Sequence, residues 1–259
     1  MKKHITTLLL FCLTVVCYSQ NSTDNNAKCI HIFVALCDNI HQGIVPVPAK
    51  LGNGQDHHNN LYWGALYGVR THFKRSKEWS LIMTKIPENS VKLERLVFKH
   101  ATENWYLIAD AYDGKHIKQC IKDFLKSSSG EHKESLLINS VSLNIGGGAN
   151  MVAYIGHDGL MEFNLTEKIK NTDGIKRDVM ILACYSKKFF TPYLKEANIT
   201  PLLWTTGLMS PEAYTIHDAI AGYINNESTE DIRTRAAKAY SKYQKCSEKA
   251  AKNLLVTGW

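Results

Sequence analysis

Two runs of the same design constrain this chain most. Met151-Val152-Ala153-Tyr154-Ile155-Gly156 leads straight into His157-Asp158-Gly159, and Asp178-Val179-Met180-Ile181-Leu182-Ala183 leads straight into Cys184. Each is an apolar segment of strand length that stops at a chemically capable side chain. Strands buried on both faces of a parallel sheet read this way, and the sheet presents reactive groups at their carboxyl ends. The pair predicts an α/β fold with a mostly parallel central sheet and delivers a His and a Cys to one sheet edge.

The start of the chain reads as an address rather than as fold. Met1-Lys2-Lys3-His4 precedes an apolar stretch from Ile5 to Val16 that is too short to span a bilayer, and the small Ser19 follows. Residues 1–19 are therefore expected to be a cleaved signal peptide, residues 20–28 a disordered N-terminal segment, and residues 29–259 one α/β domain exported to the periplasm or secreted. Cys17 raises a lipid-anchored form as the runner-up, although Val16 stands where lipoprotein signals carry a small residue. No later segment has the length and apolarity of a transmembrane helix.

Loss of Lys2 and Lys3 lowers the formal charge of +7 to +5. The remaining basic residues are scattered, with no run or aromatic interleaving suited to nucleic acid. Of 7 cysteines, five lie beyond the signal: Cys29, Cys37, Cys120, Cys184 and Cys246. An odd number in an exported protein leaves at least one thiol unpaired, and Cys184 is the candidate; pairing among the others stays open.

Periodicity predicts strands at residues 29–36, 79–86, 95–98, 105–109 and 201–206, alternating with helices at residues 59–74, 113–126, 189–197, 210–224 and 229–255. Residues 136–143 are ambiguous between strand and helix, and Gly146-Gly147-Gly148 reads as a flexible hinge. Strands alternating with helices along the whole length imply one doubly wound sheet.

The chemistry follows from residue type. A thiol attacks a carbonyl once ionised, a nearby His takes its proton and later protonates the leaving group, and backbone N–H groups hold the developing oxyanion. Cys184 is the candidate nucleophile and His157 the candidate acid/base. Asp158 and Gly159 are candidates for the oxyanion side, Gly159 because it lets a substrate approach the backbone. Asp158 reads equally as a turn residue, and Asp38 and Asn39 read either as orienting His157 or as capping the loop after the first strand. The Asp56-His57-His58 cluster lacks the spacing of a metal site, so neither metal nor cofactor is expected.

An apolar strand ending in His and Gly, then an apolar strand ending in Ala-Cys, resembles the caspase-like cysteine peptidases, the clan of caspases, legumains, gingipains, clostripain and separase. The order of His before Cys agrees, as does a first strand ending near Asn39, where legumains place an Asn that supports the His. Trp204-Thr205-Thr206-Gly207, followed by Ser210-Pro211-Glu212-Ala213-Tyr214, resembles the legumain segment bordering the primary specificity pocket. The resemblance implies a caspase-like three-layer sandwich, Cys184 and His157 as a catalytic dyad, and Thr205 and Thr206 near the pocket, while Tyr185 reads as pocket wall or packing. Two positions depart from the pattern. Asp158 separates His157 from Gly159, and Leu182 stands where caspases and legumains carry Gln or Glu, so a charged preference like theirs does not carry over. The expected function is an exported cysteine peptidase acting on a peptide or protein. Its alternatives are an amidase or transpeptidase using the same dyad, and a non-catalytic peptide- or partner-binding module on the same scaffold.

Overall fold

The computed structural model describes residues 27–88 and 90–259. The expected signal peptide and residues 20–26 of the expected N-terminal segment lie outside the described residues.

The central sheet has eight strands in the order β10-β9-β8-β7-β1-β4-β3-β2. Its parallel heart comprises β1 (Lys28–Ala35), β4 (Trp105–Tyr112), β7 (Met151–Ile155), β8 (Asp178–Leu182) and β9 (Pro201–Thr205). Antiparallel strands finish both edges: β3 (Lys92–His100) and β2 (Trp79–Lys85) beyond β4, and the two-residue β10 (Leu255–Val256) beyond β9. A separate hairpin pairs β5 (Lys133–Ile138) with β6 (Val141–Gly146).

The period-two geometry of β1 divides its side chains between two cores. Ile30, Ile32 and Val34 pack on one face with residues from α1 (Val69–Arg75), α4 (Ala213–Ile224) and α5 (Thr229–Gln244). Cys29, Phe33 and Ala35 pack on the other with residues from α2 (Ile117–Ser128), α3 (Ser186–Glu196) and the hairpin. With α6 (Glu248–Leu254), six helices and a mostly parallel mixed sheet make up the described residues, an arrangement compatible with a three-layer sandwich. Each fully buried Ile, Val or Phe contributes about 1.5–3 kcal/mol, so the doubly covered central strands dominate the stabilisation. Among the described residues, no helix is long and apolar enough to cross a membrane, and all five cysteines are free thiols.

Three local expectations differ from the structure, and the ambiguity at residues 136–143 resolves as strand. The helix expected from residue 59 begins only at Val69. Before it, Asn60 is held by Cys37, its amide donating to the Cys37 carbonyl at 2.8 Å and its Oδ1 accepting the Cys37 N–H at 3.0 Å, which pulls this stretch into turns against the end of β1. Residues 136–143 belong to the hairpin, whose Asn139-Ser140 turn has φ of 47° and 67°, the left-handed pair that matches strand twist. Gly146 and Gly147 form a tight connection rather than a hinge: Gly146 has φ 58°, and a Cβ on Gly147 would lie 1.9 Å from the Glu131 carbonyl oxygen. The single final helix is broken at Lys245, in left-handed conformation with φ 53°, and restarts at Ser247, whose side chain accepts the Ala250 N–H.

A buried ionic cluster crosses the sheet beneath the hairpin. Asp110 receives Arg95 through Nε at 2.6 Å and Nη2 at 2.8 Å, Lys92 at 2.9 Å, and His31 Nε2 at 3.2 Å. Burial by itself raises a carboxyl, but Arg95, His31 and Lys92 more than reverse this and hold Asp110 well below the usual carboxylate range.

Candidate active site

The two apolar runs become adjacent parallel strands in a register that pairs Ile155 with Leu182. His157 and Cys184 each lie two residues beyond that matched pair, so a strand spacing of about 4.8 Å brings them to neighbouring carboxyl ends. The Gly156 N–H ties the two exits together by donating to the Leu182 carbonyl at 3.3 Å. Both residues line one cavity of about 390 Å³. It lies at the carboxyl edge of the sheet, where open α/β sheets place their ligands.

His157 is fixed from two sides. Its carbonyl accepts the Tyr154 hydroxyl at 2.7 Å, and its Nε2 lies 2.5 Å from Glu162 Oε1. The same Glu162 oxygen accepts the Gly43 N–H at 2.7 Å, so one carboxylate links the imidazole to the loop after β1. A carboxylate partner assigns the proton to Nε2 and leaves Nδ1 as the basic atom; Nδ1 makes no hydrogen bond to any described residue. Glu162 is thus the partner of His157, in place of Asp38 or Asn39. Asp38 accepts the Ile40 and His41 N–H groups, the His41 ring and Gln55, while Asn39 bonds the N–H and carbonyl of Val47. These two residues shape the loop whose Gly43 reaches Glu162.

Asp158 is fully buried. Its Oδ1 accepts the Leu160 N–H at 3.1 Å and caps the short 3-10 turn Gly159–Met161, while Oδ2 is buried without a partner. Burial, opposed by the Leu160 bond and reinforced by the charge of Glu162, raises this carboxyl to about 7. Gly159 donates its N–H to the His157 carbonyl at 3.1 Å, so the oxyanion donor expected there is committed to the turn. The Asp158 N–H has no acceptor among the described residues and remains as the donor following His157.

Cys184 stands on a tight bend from β8 into α3. Tyr185 adopts a left-handed φ of 50°, uncommon for a residue with a side chain, and its N–H donates to Gly207 at 2.8 Å. Thr205 and Ser186 hold the bend: their hydroxyls are 3.0 Å apart, the Thr205 hydroxyl donates to the Ala183 carbonyl, and the Ser186 hydroxyl donates to the Ile181 carbonyl at 3.1 Å. The expected pocket residues are therefore reassigned. Thr205 is fully buried beneath the bend, Thr206 bonds the carbonyl of Asn253, and Tyr185 shapes the turn. The cavity wall comes instead from the loop at residues 43–47 and from Leu208 to Glu212.

The Cys184 sulfur accepts the Met209 N–H at 3.4 Å. Burial raises its thiol pKa, the Met209 and Cys184 N–H groups oppose that rise, and the charge of Asp158 adds to it. Sequence reading missed Glu162 and Met209, whereas Ser210, Pro211 and Glu212 belong to the segment expected at the pocket border and do line the cavity. Asp158-Gly159 after a strand does signal a tight turn, and a tight turn returns an acid four residues later to the preceding His.

Other depressions lack this chemistry. One of about 520 Å³ beside His72 and His217 and another of about 420 Å³ beside Phe189 and Tyr193 contain no thiol. Among the described residues, no group of three or more His, Cys, Asp or Glu is placed to hold a metal ion. In comparisons with protein-family models, curated proteins and solved structures, nothing matches this chain.

Proposed function

We propose that this protein is an exported cysteine peptidase of the caspase-like kind, cutting peptide bonds with Cys184 as nucleophile and His157 as acid/base. The observation that carries the proposal is the β7–β8 register, which aligns the two residues at adjacent strand ends over one cavity. His157 takes the thiol proton at Nδ1 while Glu162 keeps Nε2 protonated. The thiolate attacks the peptide carbonyl carbon, and the oxyanion that forms is met by backbone N–H groups beside Cys184 and at Asp158. The C–N bond then breaks, and His157 returns the proton to the departing amine. Water next attacks the thioester, releasing the carboxylic acid and restoring the thiol.

Cys184→Ala and His157→Ala are expected to abolish hydrolysis with the thermal unfolding curve preserved; turnover retained by either variant rejects its role. One observation favours a second reading, a binding module without catalysis: burial raises the Cys184 thiol rather than lowering it. Timed reaction with an electrophilic thiol probe at neutral pH separates the two. A rate well above that of a free thiol supports the peptidase, and an ordinary rate supports the binder.

A further inference from the structure

The cavity beside Cys184 holds a charge that the dyad does not use. Its walls are apolar, with Ile44 and Val47 from the loop after β1, Met161 after the 157–159 turn, and Leu208, Met209 and Pro211 between β9 and α4. Glu212 lines it with them and, among the described residues, is the one acidic residue that does. Glu212 Oε2 accepts the Tyr214 hydroxyl at 3.0 Å and Gln244 Nε2 at 3.2 Å. Its Oε1 makes no hydrogen bond to any described residue and is not sealed from solvent. No described Lys, Arg or His forms an ion pair with this carboxylate, and burial raises its pKa.

A carboxylate kept partly out of water without a counter-charge is costly, and the two neutral donors on Oε2 leave that charge standing. A long aliphatic stem ending in a cation fits both features, because the stem covers the apolar wall while the head reaches the open oxygen. Taking Cys184 as the attacking group, as proposed above, we infer that this cavity receives a lysine or arginine side chain of the substrate residue whose carbonyl is attacked, with Glu212 as its counter-charge. Specificity for a basic residue then comes from the segment after β9 rather than from the Cys184 strand, where Leu182 carries no charge.

Binding is tested apart from catalysis by titrating the Cys184→Ala protein with N-acetyl-arginine amide and with N-acetyl-citrulline amide, which has a similar shape without the charge. The arginine amide is expected to bind roughly 10- to 100-fold tighter. Glu212→Gln is expected to remove the difference and Glu212→Asp to keep part of it. With the intact protein, coumarin amides of Arg and Lys are expected to exceed those of Leu, Asn and Asp in kcat/KM, and Glu212→Gln to lower the Arg-to-Leu ratio by a similar factor. Equal affinity for arginine and citrulline amides overturns the inference, and hydrolysis of the Leu substrate in that case leaves the peptidase reading standing. Arginine binding that depends on Glu212, with no substrate cleaved by the intact protein, upholds the site and overturns the peptidase.

Discussion

Among the described residues two buried histidines, His31 and His157, are each paired with a carboxylate, and the difference between the pairs separates architecture from chemistry. In the sheet beneath the hairpin, both nitrogens of His31 are engaged, Nδ1 by the Gly146 N–H at 3.0 Å and Nε2 by Asp110 at 3.2 Å. Arg95 and Lys92 also neutralise that carboxylate. At the strand ends, His157 has one nitrogen on Glu162 and the other uncommitted among the described residues, Glu162 meets no described Lys or Arg, and a thiol lines the same cavity. A fully matched cluster holds the fold in one register. An incompletely matched one keeps a basic atom available to a reacting group.

If that distinction holds, the two regions respond oppositely to the same kind of substitution. Asp110→Asn removes the buried charge that Arg95 and Lys92 share and leaves Arg95 only the half-exposed Glu134, so urea unfolding should show a loss of about 3–5 kcal/mol; a change below about 1 kcal/mol would break the comparison. Glu162→Gln is expected to do the reverse. Its side chain is 35% exposed, so stability should move by less than about 1 kcal/mol. Misorientation of His157 should lower kcat roughly 100-fold with little change in KM, and shift the pH profile. A normal pH–rate profile in Glu162→Gln would show that this carboxylate does not position the imidazole.

Stability against pH sharpens the contrast further. Asp110 is depressed, so the stability it brings is complete above its unfolded value and is lost as pH falls through its folded value. Burial, against the pull of Asp110, holds His31 below its ordinary 6.5, and the neutral ring also favours the fold less as pH drops below that value. Asp158 runs the other way. Its carboxyl is raised to about 7, so the fold binds a proton that the unfolded chain releases, and stability from this group declines as pH climbs from the ordinary carboxyl range toward 7. Asp158→Asn keeps an oxygen for the Leu160 N–H and removes the buried charge. It should raise stability against urea above pH 7 by on the order of 1–2 kcal/mol and leave the acid limb unchanged. An unaltered alkaline limb would show that the charge of Asp158 carries no cost in the fold.

Much of the scaffold was legible because buried strands announce themselves. The runs ending at His157 and Cys184 became β7 and β8, the stripe Ile117, Cys120, Ile121, Phe124 and Leu125 became the buried face of α2, and residues 29–36 became β1 within a residue at each end. The stretch from Asn59 to Val69 misled for a definite reason. Its helical spacing was overridden by the Asn60 side chain bonding the backbone of Cys37, 23 residues earlier, and no local pattern encodes such a bond. Likewise the continuous helical composition of residues 229–255 hid the break at Lys245, whose left-handed conformation is a single-residue choice.

At the site, residue type and order nominated Cys184 and His157, because nucleophile and acid/base chemistry belongs to few side chains and apolar strands expose the residues at their carboxyl ends. Glu162 and Met209 could not be nominated that way, and Glu212 only as one member of the segment resembling a pocket border. Each acts through a contact set by how a turn or an inter-strand connection folds back, and carboxylates are common enough on any surface that their type alone selects none of them. Amino-acid order therefore determined the alternation of buried strands and helices and the reactive groups at two strand ends, since burial and chemical type are local properties. Only tertiary structure decided which carboxylate grips His157, which N–H groups are left unclaimed and which acid lines the cavity, since those depend on distances between segments far apart along the chain.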